Sequence, residues 1–264
     1  MASKAGDRIR PVGTVPPVTV QPLDARSLAL SALLGTHPPA LPGNRLVALA
    51  ELFDIAGGTM RTALSRMVAA GELDTVDGRY RLVGRLLDRQ HAQDTGRRPP
   101  SAAWDGTWLT AIAIDERRPL DERRRSRQAL TDHRFAELRP DTWLRPANLP
   151  APRLDGTWTV MSGTASTDDD ELVNRLWDLR AIARVASELT AQVEAAAAAL
   201  GEDPAAIPPV FRASAAVVRF LRTEPMLPAA LVPADWPVDA LRARYDQVEA
   251  DLQRELRRYL GARA

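Results

Sequence analysis

The first helical rhythm of apolar positions appears after residue 23. In "DARSLALSALLGTH", Leu28, Leu30, Leu33 and Leu34 fall on one stripe, Asp24 stands where an N-cap belongs, and Gly35 and Pro38 end the run. "NRLVALAELF" repeats the pattern, with Leu46, Val47, Leu49, Leu52 and Phe53 on the buried side. "DIAGG" then turns the chain, and Gly57 and Gly58 are expected to supply backbone angles closed to other residues. A third helix is predicted over 59–70: Met60, Ala63, Leu64, Met67 and Val68 face the other two helices, and Arg61, Thr62, Ser65 and Arg66 are left on the opposite side. After Gly71 the period drops to two. "LDTV" and "RYRLV" read as short strands joined by Asp77-Gly78, a dipeptide suited to a tight hairpin turn.

Beyond the hairpin, "GRLLDRQHAQDTGRR" is helical and ends at a boundary marked by Pro99-Pro100. "WDGTWLTAIAIDE" reads as a strand, "RPLDERRRSRQALTDHRF" as a helix, and "FAELRPDTWLRP" as two extended pieces around a turn at Pro140-Asp141. "LDGTWTVMSGTAS" opens another strand at Thr157, and the recurring "DGTW" at 105–108 and 155–158 marks a possible internal repeat. Strand, helix, strands, then a further strand and helix fit a small α+β sandwich of the ferredoxin-like kind. From Asp168 the chain turns strongly helical, with a break at "LWDL" and a Pro-punctuated connector, "EPMLPAALVPADWP". The closing helix carries a stripe of Leu241, Tyr245, Val248, Leu252, Leu256 and Tyr259, which must pack on the chain itself or on a second subunit.

Three helices followed by a hairpin is the order of a winged helix-turn-helix, in which the third helix enters the major groove and the hairpin lies along the adjacent backbone or minor groove. Two arginines beside two hydroxyls suit phosphate oxygens and purine edges, and Arg79 and Arg81 alternate with Tyr80 and Leu82 so that both arginines share one face of the ribbon. A solvated helix face is made of the same residue types.

Composition narrows the chemistry. The chain has 264 residues, a formal net charge of +1 and no cysteine, so disulfides, thiolate nucleophiles and Cys-ligated zinc are excluded, and any basic surface must be local. His37, His91 and His133 lie in separate segments without metal-ligand spacing, and neither a metal nor a cofactor is expected. Residues 1–22 are Pro-rich and non-periodic and read as a mobile arm rather than a signal peptide. No stretch is apolar for long enough to cross a bilayer, and a cytoplasmic protein is expected.

The order "RSLALSALLG", "MRTALSRMVAAGEL", "GRYRLVGRLLDRQ", "WDGTWLTAIAI", "RRRSRQAL", "FAELRPDTWLRP", "RLWDL" and "TEPMLPAALVPADWP" resembles the PaaX family, the repressors of phenylacetate catabolism. The resemblance spans roughly 24–259, and its most distinctive segments are "PMLPAALVPADWP" and "RLWDL". It implies an α+β protein with a winged helix-turn-helix over 23–98, a ferredoxin-like middle domain over 99–165 and a helical effector and dimerisation domain over 166–264, preceded in this chain by the arm over 1–22. It further implies a homodimer on a palindromic DNA operator, released by an aryl-acetyl-CoA thioester. Carried over by position, the DNA contacts fall on Arg61, Thr62, Ser65 and Arg66 in the helix and on Arg79 and Arg81 in the wing, and Thr59 at the start of the helix is a further DNA-binding candidate. This chain departs from the family in its arm, its short wing, and "RVASEL" where members tend to have a tyrosine.

For the effector, Arg117, Arg118, Arg123, Arg124, Arg125 and Arg127 concentrate positive charge suited to CoA phosphates, although Glu116, Asp121 and Glu122 are at hand to make the same helix an ordinary solvated one. Trp104, Trp108, Trp143, Trp158 and Trp177 border an acyl pocket or, as the simpler reading, fill a core. Two alternatives are a metal-dependent nuclease with Asp115 as a strand-end ligand and a winged-helix scaffold that binds only protein.

Overall fold

A computed structural model describes residues 22–97, 103–114, 119–201 and 203–261. Arg117, Arg118, Asp115, nearly all of the N-terminal arm and the Pro99-Pro100 boundary lie outside the described residues. The protein is of mixed helix and sheet. Among the described residues there are two small antiparallel sheets, and the chain divides into two compact units, one holding 98–185 and 223–237 and the other 18–97, 186–222 and 238–264.

In the second of these units, α1 (Ala25–Leu34), α2 (Gly43–Leu52) and α3 (Gly57–Ala69) pack together through the predicted apolar faces; Leu28, Leu33, Leu46, Met60 and Leu64 are at most 1% exposed. Asp24 caps α1 by accepting the Ser27 backbone N–H at 2.7 Å, as its sequence position predicts. Helix α4 (Arg85–Arg97) follows the hairpin and packs against α8 (Ile207–Leu221), and α9 (Pro237–Gly261) also belongs to this unit. Most of the α9 stripe is spent within the chain: Leu241, Tyr245, Val248, Leu252 and Leu256 are all buried, and Tyr259 is half-buried. The stripe therefore does not call for a second subunit.

The hairpin strands β2 (Leu73–Val76) and β3 (Arg79–Leu82) form as predicted, and the positive φ of both Asp77 and Gly78 is the backbone signature of a tight primed turn. A third strand, β1 (Ala40–Pro42), pairs antiparallel with β3 on the side away from β2. The sequence reading has no strand there. Three residues with a proline at one end carry no readable alternation.

The other unit holds the four-stranded sheet: β4 (Trp108–Ala113), β5 (Ala136–Arg139), β6 (Thr142–Pro146) and β7 (Trp158–Gly163), in the order β5-β6-β4-β7. Helix α5 (Leu120–Asp132) joins β4 to β5, and α6 (Asp169–Leu176) follows β7. Ala111, Leu130, Phe135, Trp143 and Trp158 form its core. Trp108 lies edge-on to Trp104 at 5.7 Å and stacked against Trp177 at 6.5 Å, and donates its indole N–H to Asp169. Trp108, Trp143, Trp158 and Trp177 are buried and fill core, whereas Trp104 is half-buried. The break foreseen at "LWDL" falls at Trp177-Asp178, after which α7 (Leu179–Ala197) begins.

Candidate nucleic-acid interface

Helix α3 begins after a four-residue turn, Phe53 to Ala56. Its backbone departs from expectation in one respect: the left-handed residue is Asp54, at φ 58°, and neither Gly57 nor Gly58 has positive φ. Both glycines lie inside α3, and Gly57 is required for space instead, since a Cβ there would come within 2.9 Å of the Val47 Cγ1 on α2. The short turn and this close approach fix the angle at which α3 leaves α2.

With Met60, Leu64 and Met67 buried, the helical period places Thr59, Arg61, Thr62, Ser65 and Arg66 in solvent. The sequence-predicted residues are therefore brought together on one exposed face. Thr62 donates its hydroxyl to the Gly58 carbonyl at 3.0 Å and Ser65 donates to the Arg61 carbonyl at 3.0 Å. Such back-bonding uses the hydroxyl proton and leaves each oxygen facing outward as an acceptor. Arg61 and Arg66 supply the donors for phosphate oxygens or for guanine O6 and N7.

On the hairpin, Arg79 and Arg81 share the exposed side expected from their spacing, but both already hold partners. Arg79 donates to the Ala40 carbonyl at 2.8 Å, and Arg81 pairs with Asp74 at 2.6 Å. The Asp74 carboxyl is held below the usual carboxylate range, first by its hydrogen bond from Arg81 and then by the Thr75 backbone N–H. Asp74 is the partner of Arg81 that the sequence alone did not single out. Its signal was available: a two-residue turn at Asp77-Gly78 forces Asp74 opposite Arg81. The Ala40 contact was not readable, because β1 itself was not.

Of the arginines considered for an anionic effector, Arg123, Arg124, Arg125 and Arg127 lie exposed on α5. Arg125 pairs with Asp121 at 3.2 Å and Arg127 with Glu137 at 2.6 Å. No group of three or more His, Cys, Asp or Glu suited to a metal ion occurs among the described residues, and no helix there is long and apolar enough to cross a membrane.

Comparison with known proteins agrees with the sequence resemblance. Residues 24–88 match the PaaX-like protein family and residues 177–262 match the PaaX-like protein C-terminal domain. The chain is also similar to the solved structure of the uncharacterized protein Rv0674 from Mycobacterium tuberculosis, at 36% identity and a TM-score of 0.71, over 89% of this chain and 98% of that one. No curated protein matches it. With its N-terminal and C-terminal regions both matched, the chain belongs to the PaaX-like family of transcriptional regulators.

Proposed function

We propose that this protein is a non-enzymatic, DNA-binding transcriptional repressor that acts in the cytoplasm. In this reading residues 23–98 work as a winged helix-turn-helix, 99–165 as a ferredoxin-like middle domain and 166–264 as the effector and dimerisation region. The strand order β5-β6-β4-β7, which is all antiparallel, supports the middle assignment. A homodimer presents its two α3 helices to successive major grooves of a palindromic operator about one helical turn apart. A small anionic effector, such as an aryl-acetyl-CoA thioester, releases the DNA by binding the DNA-incompetent state more tightly.

The observation that carries this reading is the exposed face of α3, where Thr59, Arg61, Thr62, Ser65 and Arg66 stand together opposite the buried Met60, Leu64 and Met67. Arg61 and Arg66 give salt-sensitive affinity through counterion release, and a contact to a base edge adds selectivity. Arg79 and Arg81 add phosphate contacts from the wing once DNA competes with Ala40 and Asp74 for them. The test is a gel shift with DNA from upstream of the protein's own gene, at two salt concentrations. A specific shift that weakens with salt and is lost in Arg66→Ala supports the reading, whereas no specific shift at either salt concentration rejects it.

A further inference from the structure

Behind the α1–α2–α3 cluster, within the same compact unit, lies a cavity of about 470 Å³ walled by α1, α2, α4, α8 and α9. That volume falls in the range of small-molecule sites. Much of the wall is apolar, with Leu30, Leu49, Phe211 and Val218 among the lining residues. Among the polar groups set into it are Arg89 from α4 and Arg219 and Ser214 from α8.

Two of these are orphans. The Arg89 Nε is buried and has no hydrogen-bond partner, and no carboxylate pairs with Arg89 among the described residues. Ser214 is only 5% exposed, and its hydroxyl also lacks a partner, although a helical serine ordinarily donates to the carbonyl a turn earlier. A buried donor left unsatisfied costs stability, so two at one cavity are a feature that needs a function. The acidic residues of the lining do not answer them: Asp94 is bound to His37 at 3.0 Å, and Glu249 accepts from Tyr245 and from Gln253. Burial, then the nearby Arg222, Arg26 and Arg219, holds the Arg89 guanidinium below the usual arginine range. An anion would relieve that repulsion.

The geometry points to a binding site for a small amphipathic organic anion in this cavity, its acidic head on Arg89, Ser214 and Arg219 and its apolar body against Leu30, Phe211 and Val218. Because α1 and α2 both line the cavity and both carry α3, occupancy reaches the exposed face of α3 through two packed helices. This last step, release of DNA, rests on the regulatory reading above; binding of the anion does not.

The experiment titrates the full-length protein with 8-anilinonaphthalene-1-sulfonate, an aryl sulfonate that brightens in apolar surroundings, and then competes it with phenylacetate, octanoate or phenylacetyl-CoA. Saturable binding at one site per chain is expected, weakened about tenfold or more by Arg89→Ala through loss of a charge-assisted contact. Ser214→Ala is the control for folding. It removes an unsatisfied hydroxyl, so the urea midpoint stays level or rises while probe affinity falls by a few-fold. Displacement by the carboxylates or only by the thioester identifies the source of the anion. Absence of saturable binding, or equal affinity in wild type and both variants, overturns the site. Binding that follows these expectations in a protein that gives no DNA shift upholds the site and rejects the regulatory reading instead.

Discussion

The arginines of α3 and those of the cavity are the same residue type in opposite settings. Arg61 and Arg66 stand in water on a helix whose other face packs on the core, so they burden the fold little and, on the reading proposed above, are available to a polyanion. Arg89 and Arg219 sit in the wall of a largely apolar cavity, where burial lowers the pKa of each. Exposure gives an arginine reach and salt-sensitive attraction. Burial of the Arg89 Nε without a partner makes that residue a demand for one particular counter-charge.

The largest expected effect tests the scaffold beneath the exposed set. Leu64→Ala empties a position that is 1% exposed and should cost about 2–5 kcal/mol in a urea melt, with DNA binding lost only as the fold is lost. The next separates surface from scaffold. Arg66→Ala should leave stability within about 0.5 kcal/mol and reduce operator affinity about tenfold, a loss typical of one base or phosphate contact.

A smaller effect belongs to the helix that links the two sets. Asp24→Ala should cost about 1 kcal/mol by removing the α1 cap. The Ser27 backbone N–H holds the Asp24 carboxyl below its ordinary value of 3.8. A lowered folded-state pKa means that its contribution is complete above that ordinary value and is lost as pH falls through the folded one. Acid unfolding profiles of wild type and Asp24→Ala should therefore converge at the acid end. The smallest effect is on the hairpin. Asp74→Asn frees Arg81 and removes a negative charge facing the DNA, so affinity should rise by about threefold with little change in stability.

The parts of the molecule legible in the sequence are those set by local periodicity. The α3 faces follow from spacings of three and four, and the hairpin from Asp77-Gly78 between alternating residues. The parts that escaped are set by contacts across the chain. Strand β1 exists because β3 offers it an edge, and Asp54 takes the left-handed conformation that the adjacent glycines were expected to take. The same rule separates the two arginine groups. The run around "RRRSR" is conspicuous because its charges are consecutive, yet on α5 it is exposed and partly paired. Arg89, Ser214 and Arg219 are scattered over more than a hundred residues, and only folding brings them to one cavity.

The central claim, that the exposed face of α3 contacts DNA, is tested most directly by the salt dependence of binding to upstream DNA for wild type and Arg66→Ala, measured by fluorescence anisotropy. The account predicts weaker binding by the variant and a log–log salt slope smaller by about one, the counterion released by a single phosphate contact. Superimposable affinities and slopes would contradict it.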